Sequence, residues 1–523
     1  MKNFIYILVL LYTGSLFAQI KNVKVSSDSS RQPNEVTIAI NPLNPEIIAA
    51  GSNLNYFFSS TDAGNTWTEK TMSSSLGVWG DPSVIFDNKG NLFYAHLSNP
   101  VTNGYWVDRI VVQKSEDNGA TWNDGAGVGF NSPKNQDKEW MAVDRTNSNY
   151  RNNLYLAWTE FDDYGSNNPN DSTRILFSYS NDDGITWSTP VRVSDKGGNC
   201  VDSDSTVEGA VPAVGPDGEV YLSWAGPSGI LFDKSLDGGN TFGKDVFVAG
   251  QPGGWDFQIP GINRANGMPI TACDISNSPY RGNIYINWSD QRNGTDNTDI
   301  FFIKSTDGGN TWGKVIKVNN DTTSRHQFFS WMSVDPTNGK IYIVFYDRRN
   351  TSLTATDVYL ARSVNGGESF QNYKISDSSF VPTPSVFFGD YIDIDAYNNE
   401  IRPVWMRVDN SKLSIWTAII SDSSLVTSVN TEKKTELTFK LFQNFPNPFN
   451  SSTKISYRIP LKSFVTLNVY DILGRKISTL VNEIKQAGTY EVRFDGNNVS
   501  SGIYFYTLNF GKSRIVKKMI LLE

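Results

Sequence analysis

Lys304 to Lys314, KSTDGGNTWGK, is the stretch whose reading decides the fold, because close copies of it punctuate the chain. They start at Ser60 (STDAGNTW), Ser115 (SEDNGATW), Ser180 (SNDDGITW), Ser235 (SLDGGNTF) and Ser363 (SVNGGESF). The pattern S-x-D-x-G-x-T-W supplies what a rigid hairpin turn requires. Its Asp accepts downstream backbone N–H groups, its Gly can take positive φ, and its aromatic anchors the turn in the packing. Apolar runs such as Ile300 to Ile303 and Arg174 to Phe177 precede the turns, and strand-like runs follow, so each turn joins two antiparallel strands. Asp62, Asp117, Asp182, Asp237 and Asp307 are therefore structural: equivalent acids repeated along the chain cannot all sit in one active site.

A second phrase alternates with the turn: a strand ending in Asp or Asn, a short Gly- or Asn-containing turn, then an aromatic strand. It reads SVIFDNKGNLFYAHL from Ser83, PAVGPDGEVYLSW from Pro212 and MSVDPTNGKIYIVF from Met332, with further copies from Met141 and Thr271 and weaker ones from Ile38 and Ile392. Each unit then holds four strands, called a to d in chain order, which is one blade of a propeller. Seven units predict an all-β, seven-bladed β-propeller, with six blades as the alternative. The seventh unit, about Phe387 to Ser421, lacks an Asp turn and a strand d. Because KNVKVSSDSSRQPNEVTIAINP from Lys21 parallels KVIKVNNDTTSRHQFFSWMSVDP from Lys314, Asn22 to Ser26 is expected to supply that strand and close the ring.

The chain has 523 residues, 39% hydrophobic and 19% charged, with 14 Trp, 23 Tyr, 30 Phe and 42 Gly, which suits many short strands and tight turns. A net charge of −8 argues against nucleic acid or an anionic membrane as partner. Two His and two Cys make a zinc site improbable. Residues 1–19, with a Lys, a short apolar run and small residues before Ala18, have the layout of a secretory signal peptide, and no later segment reads as a transmembrane anchor. Cys200 and Cys273 either pair in an oxidising compartment or stand as two core cysteines. The propeller is expected over 20–421 and a linker of Ser, Thr, Lys and Glu over 422–436. From 437 to 523, alternating segments read as a small immunoglobulin-like β-sandwich.

The S-x-D-x-G-x-T-W turns resemble the Asp-box, or bacterial neuraminidase repeat, of sialidases and related secreted propellers, over roughly Lys21 to Ser421. The C-terminal block resembles the type A sorting domain of the type IX secretion system through FQNFPNPFNSSTKISYRIP, VYDILGRKISTLV, GTYEVRFDG, SGIYFY and KKMILLE. That resemblance implies export to the cell surface or medium, with the secretion machinery as partner.

If the Asp turns and a–b turns share one face, the d–a and b–c connections form the other, the face that sialidases use. Several charged residues fall there. Glu35, Asp81, Glu139, Glu208 and Asp390 precede strand a; Glu160, Asp290, Arg292, Asp347, Arg348 and Arg349 end strand b; Asp108, Asp299 and Asp357 enter strand c. The sialidase resemblance implies an Arg clamp for a substrate carboxylate, a Tyr nucleophile activated by a Glu, and an Asp acid/base. On this chain Arg31, Arg292, Arg348 and Arg349, with Asp347 and Asp390, are substrate-binding candidates; Glu208, Tyr391, Asp108 and Asp299 are catalytic candidates. Two departures stand against activity: Trp224 and Ala225 occupy the strand end where an Arg belongs, and Asn53 and Asn55 stand where the acid Asp belongs. The expected function is a secreted propeller acting on or binding an extracellular glycan or glycoprotein; an active exo-α-sialidase and a non-catalytic protein-binding propeller are the alternatives. No cofactor is required, and Ca²⁺ in an acidic loop stays open.

Overall fold

The computed structural model describes residues 20–98, 100, 107–429, 439–459, 462–486, 488–511 and 513–522. The expected signal peptide lies outside the described residues. Two compact units divide at Leu425 and Val426.

The described residues of the first unit form seven four-stranded antiparallel sheets. Their innermost strands are Thr37–Ile40, Gly80–Phe86, Asn135–Val143, Glu208–Val214, Ile270–Cys273, Gln327–Val334 and Asp393–Tyr397. Each innermost strand packs against the next, and the seventh packs against the first, which closes the ring. The seventh sheet takes its outermost strand, Lys21–Lys24, from the start of the chain. It pairs antiparallel with Lys412–Ser421 in the register Lys21↔Ile419 to Lys24↔Trp416, and Val25 N donates to Ile415 O at 2.8 Å. Ring closure is thus non-covalent pairing between the two ends of the domain, which leaves no open edge between first and last sheets.

The repeated turns account for the cohesion between sheets. In the first, Asp62 Oδ1 accepts from Ser60 Oγ and Thr66 N at 2.8 and 2.9 Å, its Oδ2 accepts from Thr66 Oγ1 at 2.7 Å, and Gly64 N donates to Ser60 Oγ at 2.9 Å. The same pattern recurs around Asp117, Asp182, Asp237 and Asp307, and with Asn365 in the sixth copy. The aromatic that ends the turn reaches back to the preceding sheet: Trp122 meets Phe57, Phe242 meets Phe177, Trp312 meets Phe232 and Phe370 meets Phe302, with centroids 5.0–5.1 Å apart. Within the sheets, Trp158, Trp224, Trp288 and Trp405, at matching positions of the b strands, are fully buried. Truncating one such ring would cost about 3–5 kcal/mol.

One open alternative resolves and one expectation is corrected. Cys200 and Cys273 are both free and buried, the second of the two readings. Cys200 lies in the d–a connection after the third sheet, while Cys273 ends strand a of the fifth, near the opposite face. The segment from 422 begins as a helix, Asp422–Val429. Its first residue anchors it: Asp422 accepts from Arg362 Nη2 at 2.8 Å, Lys340 Nζ at 2.6 Å and Tyr342 Oη at 2.8 Å, and Leu425 is fully buried. A polar composition concealed this, because the stabilising contacts come from the sixth sheet.

The second unit holds two sheets. One contains Lys440–Leu441, Ser452–Ile459 and Gly488–Asp495; the other contains Phe449–Asn450, Ser513–Leu522, Gly502–Phe510, Ser463–Tyr470 and Lys476–Lys485. Alternating inward residues, among them Ile455, Tyr457, Val465, Leu467, Tyr506 and Leu508, form the core between them.

Candidate functional site

The innermost strands of four sheets share a distortion where they meet the d–a face. Pairing with strand b slips between Gly80 and Ser83, Asp137 and Trp140, Glu208 and Val211, and Phe328 and Trp331. Inside each slip one residue takes the left-handed conformation: Asp81 (φ 50°), Lys138 (φ 52°), Gly209 (φ 77°) and Phe329 (φ 48°). Such bulges re-aim side chains, and holding a non-glycine residue there costs about 1–3 kcal/mol. Asp81 and Lys138 are thereby brought into the ring's centre.

The centre is a buried network of charges. Lys138 Nζ lies 2.5 Å from Asp390 Oδ2, 3.5 Å from Asp81 Oδ2 and 3.6 Å from Glu35 Oε1. Arg264 comes from the long connection between the fourth and fifth sheets, where Asp256–Phe257 and Ala265–Asn266 form a small hairpin. Its Nε donates to Asp390 Oδ1 at 2.8 Å, its Nη2 also meets Asp390, and its Nη1 donates to Asp202 Oδ2 at 2.8 Å, which accepts from Tyr164 Oη at 2.6 Å as well. Asn53 Nδ2 donates to Glu35 and to Asn34 Oδ1, and Asn53 Oδ1 accepts from Asp81 N.

Burial and pairing split the acids into two groups. Burial would raise Asp390, yet Lys138 and Arg264 hold it well below the usual carboxylate range. Burial together with Asp81 pushes Glu35 and Glu139 upward; burial with Asp202 and Asp137 does the same to Glu208. Asp137 is pushed up to about 7, mainly by burial. Neither oxygen of Glu139 or of Glu208 has a hydrogen-bond partner among the described residues. These are the groups that a protein keeps protonated rather than charged in a dry interior.

Beneath the network, Trp140, Trp331 and Tyr391 pack together, with Trp140 4.3 Å from Trp331 and 5.6 Å from Tyr391 between centroids. They plug the axis. The pocket above them, walled by Lys138, Glu139, Met268, Phe329, Asp390 and Tyr391, has about 40 Å³ of free space, enough for a few waters.

Of the sequence-derived candidates, Glu208, Tyr391 and Asp390 reach this centre, and the others do not. Glu208 is fully buried, and the carboxylates that most affect the Tyr391 phenol, after burial, are Asp81 and Glu35. Asp108 is bound by its neighbour Arg109, Nε to Oδ1 at 2.8 Å and Nη2 to Oδ2 at 3.0 Å. Asp299 accepts from Asn319 and Asn293 at 2.6 Å each. The four candidate arginines do not converge. Arg31 is exposed; Arg292 pairs with Asp290 at 2.5 Å and lies over Phe301; Arg349 pairs with Asp347 at 2.6 Å and lies over Tyr359. Arg348 is buried over Phe328 and donates to Thr356 Oγ1 and Pro260 O at 3.1 and 2.8 Å. Sequence reasoning missed Lys138, Arg264 and Asp202. The polar run Asn135 to Glu139 leading into the apolar Trp140 to Val143 was a signal for the first; nothing local marked the other two.

Fold and centre together define a seven-sheet Asp-box propeller whose axial pocket is lined by its own ion pairs. Residues 443–522 match the family model "Secretion system C-terminal sorting domain", and the protein is a secreted or cell-surface product of the type IX route. No curated protein matches the sequence. Among solved structures, similar ones include a polysaccharide lyase, PL25 ulvan lyase (13% identity, 78% of this chain and 95% of that one, TM-score 0.46). Others are a Trypanosoma rangeli sialidase (13%, 87% and 86%, 0.41) and the α-L-arabinofuranosidase Arb93A from Fusarium graminearum (12%, 66% and 93%, 0.42). At those values they are likenesses of shape, and the architecture here rests on the closed ring of sheets itself. No described helix is long and apolar enough to cross a membrane.

Proposed function

We propose that the protein is a secreted propeller that binds extracellular glycans on the face made by the d–a and b–c connections, without hydrolysing sialosides. The observation that carries this reading is the dispersal of the arginines: Arg292 and Arg349 are each neutralised by an Asp two residues away, Arg348 is buried over Phe328, Arg31 is exposed, and Arg264 is held by Asp390 and Asp202. A carboxylate clamp needs guanidinium groups that converge with donors to spare. Two further features favour sugar binding on the rim. The axial space of about 40 Å³ does not admit a pyranose ring, and Trp79, Phe130 and Phe387 are exposed on connections of this face, with Arg264 5.5 Å from the Phe387 ring centre. Aromatic faces of this kind stack against the C–H surface of neutral sugars, and the net charge of −8 disfavours anionic ones.

The test is a glycan array on the purified full chain, run beside a fluorogenic sialoside assay. Binding to neutral or cationic sugars that weakens in Phe387→Ala, with no sialoside release, supports the reading. Robust sialoside hydrolysis that disappears in Tyr391→Phe or Glu208→Ala with the fold intact overturns it in favour of an exo-sialidase. A blank array with a captured extracellular protein partner overturns it in favour of the protein-binding alternative.

A further inference from the structure

The other mouth of the ring, built by the a–b turns, has a different chemistry. It opens into an outer chamber of about 380 Å³, continued by an inner chamber of about 210 Å³ that ends on the aromatic plug at Trp140 and Trp331. Arg145, Ile275 and Pro336 line both chambers and so form the neck between them.

Two guanidinium groups face this passage, Arg145 at the neck and Arg281 in the outer chamber. Both are held by backbone carbonyls alone. Arg145 donates from Nε and Nη2 to Phe86 O at 3.1 and 2.7 Å, and Nη1 has no protein partner among the described residues. Arg281 donates from Nη1 to Ile275 O and to Ser276 O at 3.1 Å, and from Nη2 to Pro216 O at 3.4 Å. Neither lies within ion-pair distance of a carboxylate among the described residues, in contrast to Arg264, Arg292 and Arg349 on the other face.

No acid forms an ion pair with either among the described residues, although the Arg145 charge partly offsets the upward push of burial on Asp395 in the inner chamber. Asp217 is the carboxylate on the outer chamber's wall, and it is exposed. In the inner chamber Asp393 accepts from Ile38 N and Ile394 N at 2.8 and 2.7 Å, and Asp395 accepts from Ile40 N and Ala396 N at 2.8 and 2.9 Å. Those carboxylates tie the seventh sheet to the first. A guanidinium oriented by carbonyls, with donors left over in a partly desolvated neck, is pre-arranged for an oxyanion.

We propose that this second mouth is a binding site for the oxyanion end of a slender ligand, a carboxylate- or sulfate-bearing chain, with Arg145 as the anchor at the neck and Arg281 as the contact nearer the opening. Asn147, Ser148, Asn277 and Thr337 line the same opening and supply further hydrogen-bonding groups. The site is independent of the glycan reading of the opposite face.

The experiment is isothermal titration calorimetry of the full chain with sodium glucuronate and, separately, sodium sulfate, at constant ionic strength in chloride. Saturable binding of at least one probe is expected, about tenfold weaker in Arg145→Gln, weakened in Arg281→Gln, and unchanged in Arg514→Gln, an exposed arginine of the second unit. Saturation by glucuronate alone assigns the carboxylate form and saturation by sulfate alone the sulfated form. Because Arg145 also bonds Phe86 O, a poorly folded Arg145→Gln leaves the exposed Arg281→Gln to decide. Absence of saturable binding by both probes overturns the proposal, as does a dissociation constant that Arg281→Gln and any folded Arg145→Gln leave unchanged.

Discussion

Lys138 Nζ and Asp390 Oδ2 meet at 2.5 Å in the middle of the ring, a lysine of the third sheet and an aspartate from the connection into the seventh, both buried. Asp390 is the shared counter-ion of Lys138 and Arg264, so it ties three separate chain segments to one carboxylate. Asp390→Asn leaves the buried Lys138 and the half-buried Arg264 under-compensated, and removing one partner of a buried pair such as Lys138–Asp390 costs about 3–5 kcal/mol. A clear fall in melting temperature is expected, partly reversed in the double variant Asp390→Asn/Lys138→Met. Wild-type melting of the single variant would show that the network does not hold the ring.

The pH dependence follows from the acids that this network leaves uncharged. Glu208 has a raised pKa through burial, so its contribution is fully present below the ordinary Glu range and is lost progressively as pH rises toward its folded pKa. Asp393, pushed up to about 8 by burial, and Asp137, at about 7, act in the same direction. Asp117 and Asp307 act oppositely: their hydrogen bonds, the Thr121 and Thr311 hydroxyls first, lower them to about 2, so their contribution is lost as pH falls below about 4. Stability should peak in the mildly acidic range. Glu208→Gln, which mimics the protonated acid, should melt higher than the parent at pH 8 and close to it at pH 5. Equal shifts at both pH values would show that Glu208 is not the titrating group.

Strand Lys21–Lys24 is a removable part. Deleting residues 20–26 exposes the edge of Lys412–Ser421 and should lower the melting temperature and promote association through that edge. A synthetic peptide spanning residues 20–28, added in trans, should restore the parent melting curve by pairing at the vacated edge. A deletion that melts like the parent would mean that closure does not depend on this strand.

Adjacent glycines of one turn should respond differently. A Cβ added to Gly308 (φ +69°) would have only Lys234 Nζ nearby, at 4.0 Å, whereas a Cβ on Gly309 (φ +81°) would collide with Phe232 Cε1, on the ring stapled by Trp312. Gly308→Ala incurs backbone strain alone, about 1 kcal/mol, while Gly309→Ala adds overpacking of about 1–3 kcal/mol. Thermal melts of the two variants should rank in that order, and the reverse order would discredit the staple.

The ring was legible in the sequence because its information is contiguous. Ser305, Asp307, Gly309, Thr311 and Trp312 lie within eight positions of each other, and their hydrogen bonds are local, so each copy specifies one turn whatever surrounds it. The acids of the inner rim were largely legible: Glu35 and Asp390 lie before an innermost strand and Asp81 and Glu208 at its start, while Glu139, expected to precede its strand, lies in the middle of Asn135–Val143 because that strand begins four residues earlier. Their chemistry was not. Whether a carboxylate is ionised depends on which cation the ring carries to it, and Lys138 and Arg264 stand 252 and 126 positions from Asp390 in the chain. The candidate arginines failed for a related reason, since a guanidinium takes the nearest rigid carboxylate, and Asp290 and Asp347 were two residues away from Arg292 and Arg349. Local turn chemistry therefore determined the propeller from the sequence by itself. Only the closed ring decided which charges meet at its axis, because Coulomb attraction and desolvation act through space and not along the chain.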